Sequence, residues 1–195
     1  MDASSWDQRY EAADLVWSAE PNLFLPPLVS ELEPGTALDV ACGEGRNAIW
    51  LARQGWEVTA VDFSPVGIEK AWQLSDGDDV KWVVADATLY EPTKQFDLVV
   101  MFYLHLLPED LAAVMEMASE ALIPGGTLFA VGHAVRNLTD GHGGPQYPEI
   151  LWSEATIAPM VEGLEIVELG ERIRPITDSD ARAIDTVLRA TKPKG

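Results

Sequence analysis

The chain has 195 residues, 47% of them apolar, and a net charge of −19. That length and apolar share suit one packed domain spanning 1–195, and an acidic excess without Lys/Arg clusters speaks against nucleic-acid partners, whose phosphates need basic groups. The longest apolar run, Leu98 to Leu107, is broken by His105 and too short to span a bilayer, no basic-then-apolar leader opens the chain, and Cys42 is the lone cysteine, so a cytoplasmic protein without membrane attachment is expected.

Ser5 to Ala13 reads as a helix with Trp6, Tyr10 and Ala13 on one face. Pro26 to Leu32 reads as a second short helix stopped by Pro34-Gly35, and together these segments form an amino-terminal helical cap over 1–34 that precedes a core over 35–195. A strand follows at 36–40, then a helix from Gly45 to Gln54 closed by Gly55. The next strand is 56–61. Ser64-Pro65 supplies an N-cap and first-turn proline for a helix running to about Leu74. Strands at 80–84 and 96–101 come next, and Pro108-Glu109-Asp110 starts the clearest helix, with Leu111, Val114, Met115, Ala118 and Leu122 on one stripe. A strand at 126–132 leads to a loop rich in Gly, His and Pro over 134–150, a short helix near 154–161, and strands at 164–173 and 184–191. Alternating strands and helices imply a doubly wound, Rossmann-like α/β fold of seven strands in a three-layer α/β/α arrangement. The last two strands lack an intervening helix, so they form a hairpin and the final strand runs antiparallel.

The first strand enters a glycine turn, Gly43-Glu44-Gly45, which opens a helix, and the second strand ends in a carboxylate, Asp62. Glycines allow close backbone approach, a helix start offers free N–H groups, and a carboxylate there takes both hydroxyls of a ribose. These residues describe a site for an adenosine-containing ligand. Gly43-Glu44-Gly45-Arg46-Asn47-Ala48 fits G-x-G-x-x-G/A, so a nicotinamide dinucleotide and an oxidoreductase are one reading.

Asp39 inside the first strand favours another. Asp39-Val40-Ala41-Cys42-Gly43-Glu44-Gly45 resembles the first motif of the class I S-adenosylmethionine-dependent methyltransferases, (D/E)-x-G-x-G-x-G, with Ala41 in place of the first glycine. Val84-Ala85-Asp86-Ala87 resembles the family's second acidic loop, Phe96 to Met101 its fourth strand, and Leu122 to Leu128 its Pro-Gly-Gly turn. The wording around Cys42 to Asn47 and the opening Trp6 to Tyr10 look most like the branch of tellurite-resistance methyltransferases.

The resemblance implies S-adenosylmethionine as cofactor. Gly43 and Gly45 then lie against its methionyl and ribose parts, and Asp39 acts through water or by orienting the turn. Asp62 holds the ribose, Asp86 with Ala87 meets the adenine edge, and Phe63 stacks on the adenine or packs beneath it. Met101 and Phe102 line the pocket floor. Arg46 pairs with the cofactor carboxylate or with Glu44; Arg9, Tyr10 and Trp17 form a lid or dock the first helix.

Methyl transfer needs no protein nucleophile, and a general base only when the acceptor arrives protonated. The implied partner is a small-molecule methyl acceptor, with a chalcogen oxyanion or a thiol as the specific suggestion; a non-catalytic cofactor-binding protein is the other reading. His105 after the fourth strand is the candidate catalytic contact, His133 after the fifth shares its location, and His142 has no assigned role. No cluster has metal-ligand spacing.

Overall fold

The computed structural model describes residues 3–176 and 179–195; residues 1 and 2 of the expected helical cap lie outside them. The chain resolves into two compact units, 1–100 and 101–195.

The first unit holds α1 (Ala3–Glu11), α2 (Leu25–Val29), β1 (Thr36–Val40), α3 (Arg46–Arg53), β2 (Glu57–Asp62), α4 (Pro65–Ser75) and β3 (Val80–Val84). Most of β4 (Phe96–Phe102) also belongs to it. β1 pairs with β2 and β2 with β3, both parallel. β1 and β2 are buried almost throughout, as strands covered on both faces must be. α4 starts as its sequence dictates, with Pro65 at its first position and the Ser64 hydroxyl accepting from the Gly67 amide at 2.9 Å.

α1 stops at Glu11, two residues before its apolar pattern does. The reason is Lys70 of α4, whose ammonium donates to the carbonyls of Tyr10, Ala13 and Asp14. A cation at the negative end of a helix satisfies acceptors that a further turn would otherwise engage.

The second unit holds α5 (Pro108–Glu120), β5 (Leu122–His133), α6 (Asn137–Asp140), α7 (Glu154–Ile157), β6 (Glu165–Pro175) and β7 (Arg182–Thr191). β7 runs antiparallel to both β5 and β6. β5 starts four residues before its predicted beginning, because the antiparallel partner continues the ladder through Pro124-Gly125-Gly126: Gly125 donates to the Lys192 carbonyl at 2.8 Å and Lys192 to that of Gly126 at 2.9 Å. The 134–150 segment is tied down by Asn137, whose buried amide accepts from the Ile184 N–H at 2.7 Å and donates to the Gly143 carbonyl at 2.9 Å.

The strand order is β3-β2-β1-β4-β5-β7-β6. Dinucleotide folds place their strands as 3-2-1-4-5-6. The antiparallel β7, inserted between β5 and β6, is the expected hairpin feature and sets this sheet apart. Among the described residues no helix is long and apolar enough to cross a membrane.

Candidate functional site

The tips of β1 and β2 build the first unit's site. Asp62 ends β2 buried, with Oδ2 accepting from the Gly43 amide at 2.8 Å and Oδ1 from the Ser64 amide at 2.9 Å. Burial, with the charge of Asp7, raises its carboxyl above the usual range against the opposing pull of the Ser64, Gly43 and Phe63 amides. A carboxylate has about four lone-pair sites, more than the Gly43, Ser64 and Phe63 amides occupy, so Asp62 keeps acceptor capacity for a ligand. This capacity fits a ribose hydroxyl.

Asp39 is buried in β1 and accepts from the Ala48 amide at the start of α3, while its Oδ2 has no hydrogen-bond partner. Burial, followed by the charge of Asp62, pushes its carboxyl up to about 8. A buried polar atom without a partner marks a place where a water or ligand group belongs.

The turn itself is left-handed at three positions, Ala41 (φ 57°), Gly43 (φ 57°) and Gly45 (φ 77°). Ala41 adopts the conformation that glycine would adopt freely, at the steric cost a β-carbon carries there. Gly45 is required twice over, because a Cβ would lie 2.5 Å from Trp82 Cη2 and 2.8 Å from the Ala71 methyl. Gly45→Ala is expected to destabilise the protein by about 2–5 kcal/mol, from left-handed strain and overpacking together, with urea unfolding as the measurement. Cys42 is buried, and burial with the nearby Asp39 and Asp62 drives its thiol well up, so it is a packing residue rather than a nucleophile.

α1 lies against this turn. Tyr10 is buried, its ring edge 3.0 Å from where a Gly67 Cβ would stand and its hydroxyl 2.7 Å from that of Gly43. Asp7 accepts from the Ser64 hydroxyl. Glu44 accepts from the Val16 and Trp17 amides at 3.0 and 3.1 Å and pairs with Lys70 at 3.4 Å. Of the two partners expected for Arg46, Glu44 is therefore engaged elsewhere, and Arg46 Nη1 donates to the Ser18 hydroxyl at 3.3 Å. Trp17 is 45% exposed and its ring lies 6.4 Å from that of Trp6.

Asp86 is exposed beyond β3 and accepts from the Thr88 amide at 2.9 Å and hydroxyl at 2.8 Å, with Ala87 at the crown of that turn. Phe63 is half-buried beside Asp62. Met101, expected on the pocket floor, is fully buried within β4.

The second unit carries a separate polar cluster. Asp185 sits fully buried in β7, 2.9 Å from His133 Nδ1, 2.7 Å from Arg174 Nε and 3.0 Å from the Tyr103 hydroxyl. Burial pushes its carboxyl up, but the contacts with His133 and Arg174 win and hold it below the ordinary value. The His105 ring is stacked on that of His133 at 5.4 Å and 3°, and its Nδ1 is 3.1 Å from the Ile150 carbonyl. Its buried Nε2 has no hydrogen-bond partner. Burial lowers the His105 pKa to about 4, assisted by His133 and opposed by the Ile150 carbonyl. Sequence reasoning placed the two histidines near one another but missed Tyr103, Arg174 and Asp185. The available signal was a carboxylate in the apolar run Ala183 to Leu188, which demands a partner. Among the described residues no group of three or more His, Cys, Asp or Glu side chains is arranged to hold a metal ion.

Residues 37–126 match the family model of a methyltransferase domain. An uncharacterised methyltransferase of Mycobacterium bovis is 34% identical over 133 residues, which cover 66% of this chain and 66% of that one. This chain belongs to the class I S-adenosylmethionine-dependent methyltransferases. The methyltransferase spans 66% of the length of its mycobacterial relative. Two solved structures share its fold. The N-methyltransferase NodS from Bradyrhizobium japonicum, in complex with S-adenosylhomocysteine, has a TM-score of 0.76 at 19% identity, covering 99% of this chain and all of that one. TehB from Haemophilus influenzae has a TM-score of 0.72 at 17% identity, covering 85% of this chain and 60% of that one. The family's cofactor is S-adenosylmethionine, and the lone-pair capacity of Asp62 with the unpartnered Asp39 Oδ2 fits it.

Proposed function

We propose that this methyltransferase transfers the methyl group of S-adenosylmethionine to a small-molecule acceptor. The observation that carries the reading is Asp62, held at the end of β2 by the Gly43 and Ser64 amides with acceptor capacity left for a ribose hydroxyl. Asp39, Ala41, Gly43 and Gly45 shape the turn, and Asp86 with Ala87 recognises the adenine edge. Phe63 flanks the base. Tyr10, Trp17 and Arg46 belong to the methionine end. The acidic charge supports an acceptor other than nucleic acid.

When bound, the cofactor supplies an electrophilic methyl group on a sulfonium, which departs as a neutral thioether. The chain's own part is to bind, orient and exclude water, and orientation alone is worth about 7–11 kcal/mol in well-aligned reactions. His105 is assigned to the acceptor: its Nδ1 faces the Ile150 carbonyl, so its Nε2 offers a lone pair to a donor on the acceptor.

Calorimetric titration with S-adenosylhomocysteine and, separately, with NAD tests the reading. Micromolar affinity for the first and none for the second is expected. Binding of NAD alone would overturn it and restore the oxidoreductase.

A further inference from the structure

β6 (Glu165–Pro175) ends its sheet: it pairs with β7 and, among the described residues, with no other strand. An open edge presents unpaired N–H and C=O groups, and proteins blunt such edges with charge, proline or bulges. β6 is blunted only in part. A bulge at Val167 bends its start and Pro175 closes its end. Between these two devices the edge carries large apolar side chains at Val167 and Ile173, each more than half exposed, and Ile166 is exposed beside the bulge. An exposed apolar edge of this kind is a template for another strand.

The chemistry of that edge matches its own reverse. Two antiparallel copies that continue one sheet about a two-fold axis must set one residue opposite itself, because side chains alternate faces and opposite residues share a face. Centred on Gly170, the pairing sets Glu168 opposite Arg172 of the second copy, Val167 opposite Ile173, and Leu169 opposite Glu171. The neighbouring registers lose this match. Centred on Leu169, Val167 meets Glu171; centred on Glu171, Glu168 or Arg172, a charge meets its own copy. Gly170 brings no side chain to the axis. Within one chain Arg172 Nη2 already reaches Glu168 Oε1 at 2.6 Å across that glycine, so a pair of copies assembles a ring of four alternating charges. Opposite charges facing across strands stabilise the pairing, and like charges oppose it. The other charges of the strand's second half are engaged elsewhere, Glu171 with Arg136 at 2.9 Å and Arg174 with Asp185 at 2.7 Å.

We propose that β6 is a self-association edge, through which two copies of this chain join antiparallel about Gly170 into a reversible homodimer with one continuous sheet. The interface is isologous, as a two-fold axis demands. Main-chain hydrogen bonds between the two edges supply affinity, while Glu168 with Arg172 and Val167 with Ile173 set the register. A foreign strand would need no such self-complementarity, which is why the occupant is a second copy. Each copy carries a net charge of −19, so long-range repulsion opposes the encounter until salt screens it. The dimer therefore tightens from low to physiological salt.

Sedimentation equilibrium of the full chain over a concentration series should show a monomer–dimer equilibrium. Glu168→Lys sets two cations opposite each other and Arg172→Glu two anions, twice in each dimer, so either reversal should weaken association by about tenfold or more. These reversals shift the net charge in opposite directions, so overall repulsion alone would strengthen one dimer and weaken the other. Both reversals in one chain should restore the dimer. Mixing the two single variants should restore it too, because their charges complement one another only in a heterodimer. A monomer at every concentration, a dimer indifferent to both reversals, or single variants that stay apart when mixed would each overturn the proposal. Hydrogen exchange needs no variant, so misfolding of one leaves the test intact. In the parent protein, β6 amides should gain protection as concentration rises, while those of β3 at the opposite edge should not; protection of β6 that ignores concentration would also overturn the proposal.

Discussion

Asp62→Ala is expected to weaken S-adenosylhomocysteine binding by about 10–100-fold. A hydrogen bond to a charged group is worth about 1.5–3 kcal/mol, the proposed ribose contact makes one of them, and 1.4 kcal/mol is tenfold in affinity. The same carboxylate holds the Gly43 and Ser64 amides. Its removal leaves two buried donors without partners, at about 1–3 kcal/mol each, so the alanine variant should also melt at a lower temperature. Asp62→Asn separates the two effects: it keeps the volume and one acceptor oxygen for an amide but presents a donor where the hydroxyl would bind. Calorimetry beside thermal unfolding reads both variants. Full affinity in a folded Asp62→Ala protein would place the adenosine pocket elsewhere.

The elements that the sequence disclosed are those whose physics is local. Ser64 and Pro65 define the start of α4 within two residues, Pro108 with Glu109 and Asp110 does the same for α5, and the glycine turn between β1 and α3 is fixed by left-handed backbone at the alternate positions 41, 43 and 45. Asp62 was legible because a strand end followed by an N-cap leaves a carboxylate in one predictable place. What stayed hidden depends on partners distant in the chain. The early end of α1 comes from Lys70, about 60 residues on, and the early start of β5 comes from β7. The Tyr103–Asp185 bond joins residues 82 apart, and no periodicity in either segment foretells it. Buried charge is the exception to hydrophobic patterning, and it is resolved only when the sheet brings the counter-charge alongside.

Asp39 gives the second large expectation, and its sign is opposite to that of an ordinary salt-bridged carboxylate. Its folded pKa is about 8, against about 3.9 in an unfolded chain. The folded protein therefore holds a proton that the unfolded chain releases, and stability falls as pH rises from about 4 through about 8, then levels off. At 1.36 kcal/mol per unit, the loss attributable to this one group is on the order of 5 kcal/mol. Asp39→Asn keeps the shape, retains an oxygen for the Ala48 amide and cannot ionise. At pH 3, below both pKa values, the variant should match the parent in stability, since a protonated carboxyl and an amide place similar groups in the same space. At pH 8 it should be several kcal/mol more stable, the gap opening steadily between. Urea unfolding of both proteins across that range isolates the difference, because every other titrating group is common to the pair. Parallel curves would mean that Asp39 ionises freely in the folded protein and that its Oδ2 finds solvent. A widening gap would mean that the first strand carries a neutral acid beneath the glycine turn. A bound cation such as the sulfonium cofactor would then favour its ionisation, and cofactor binding should release a proton near neutral pH.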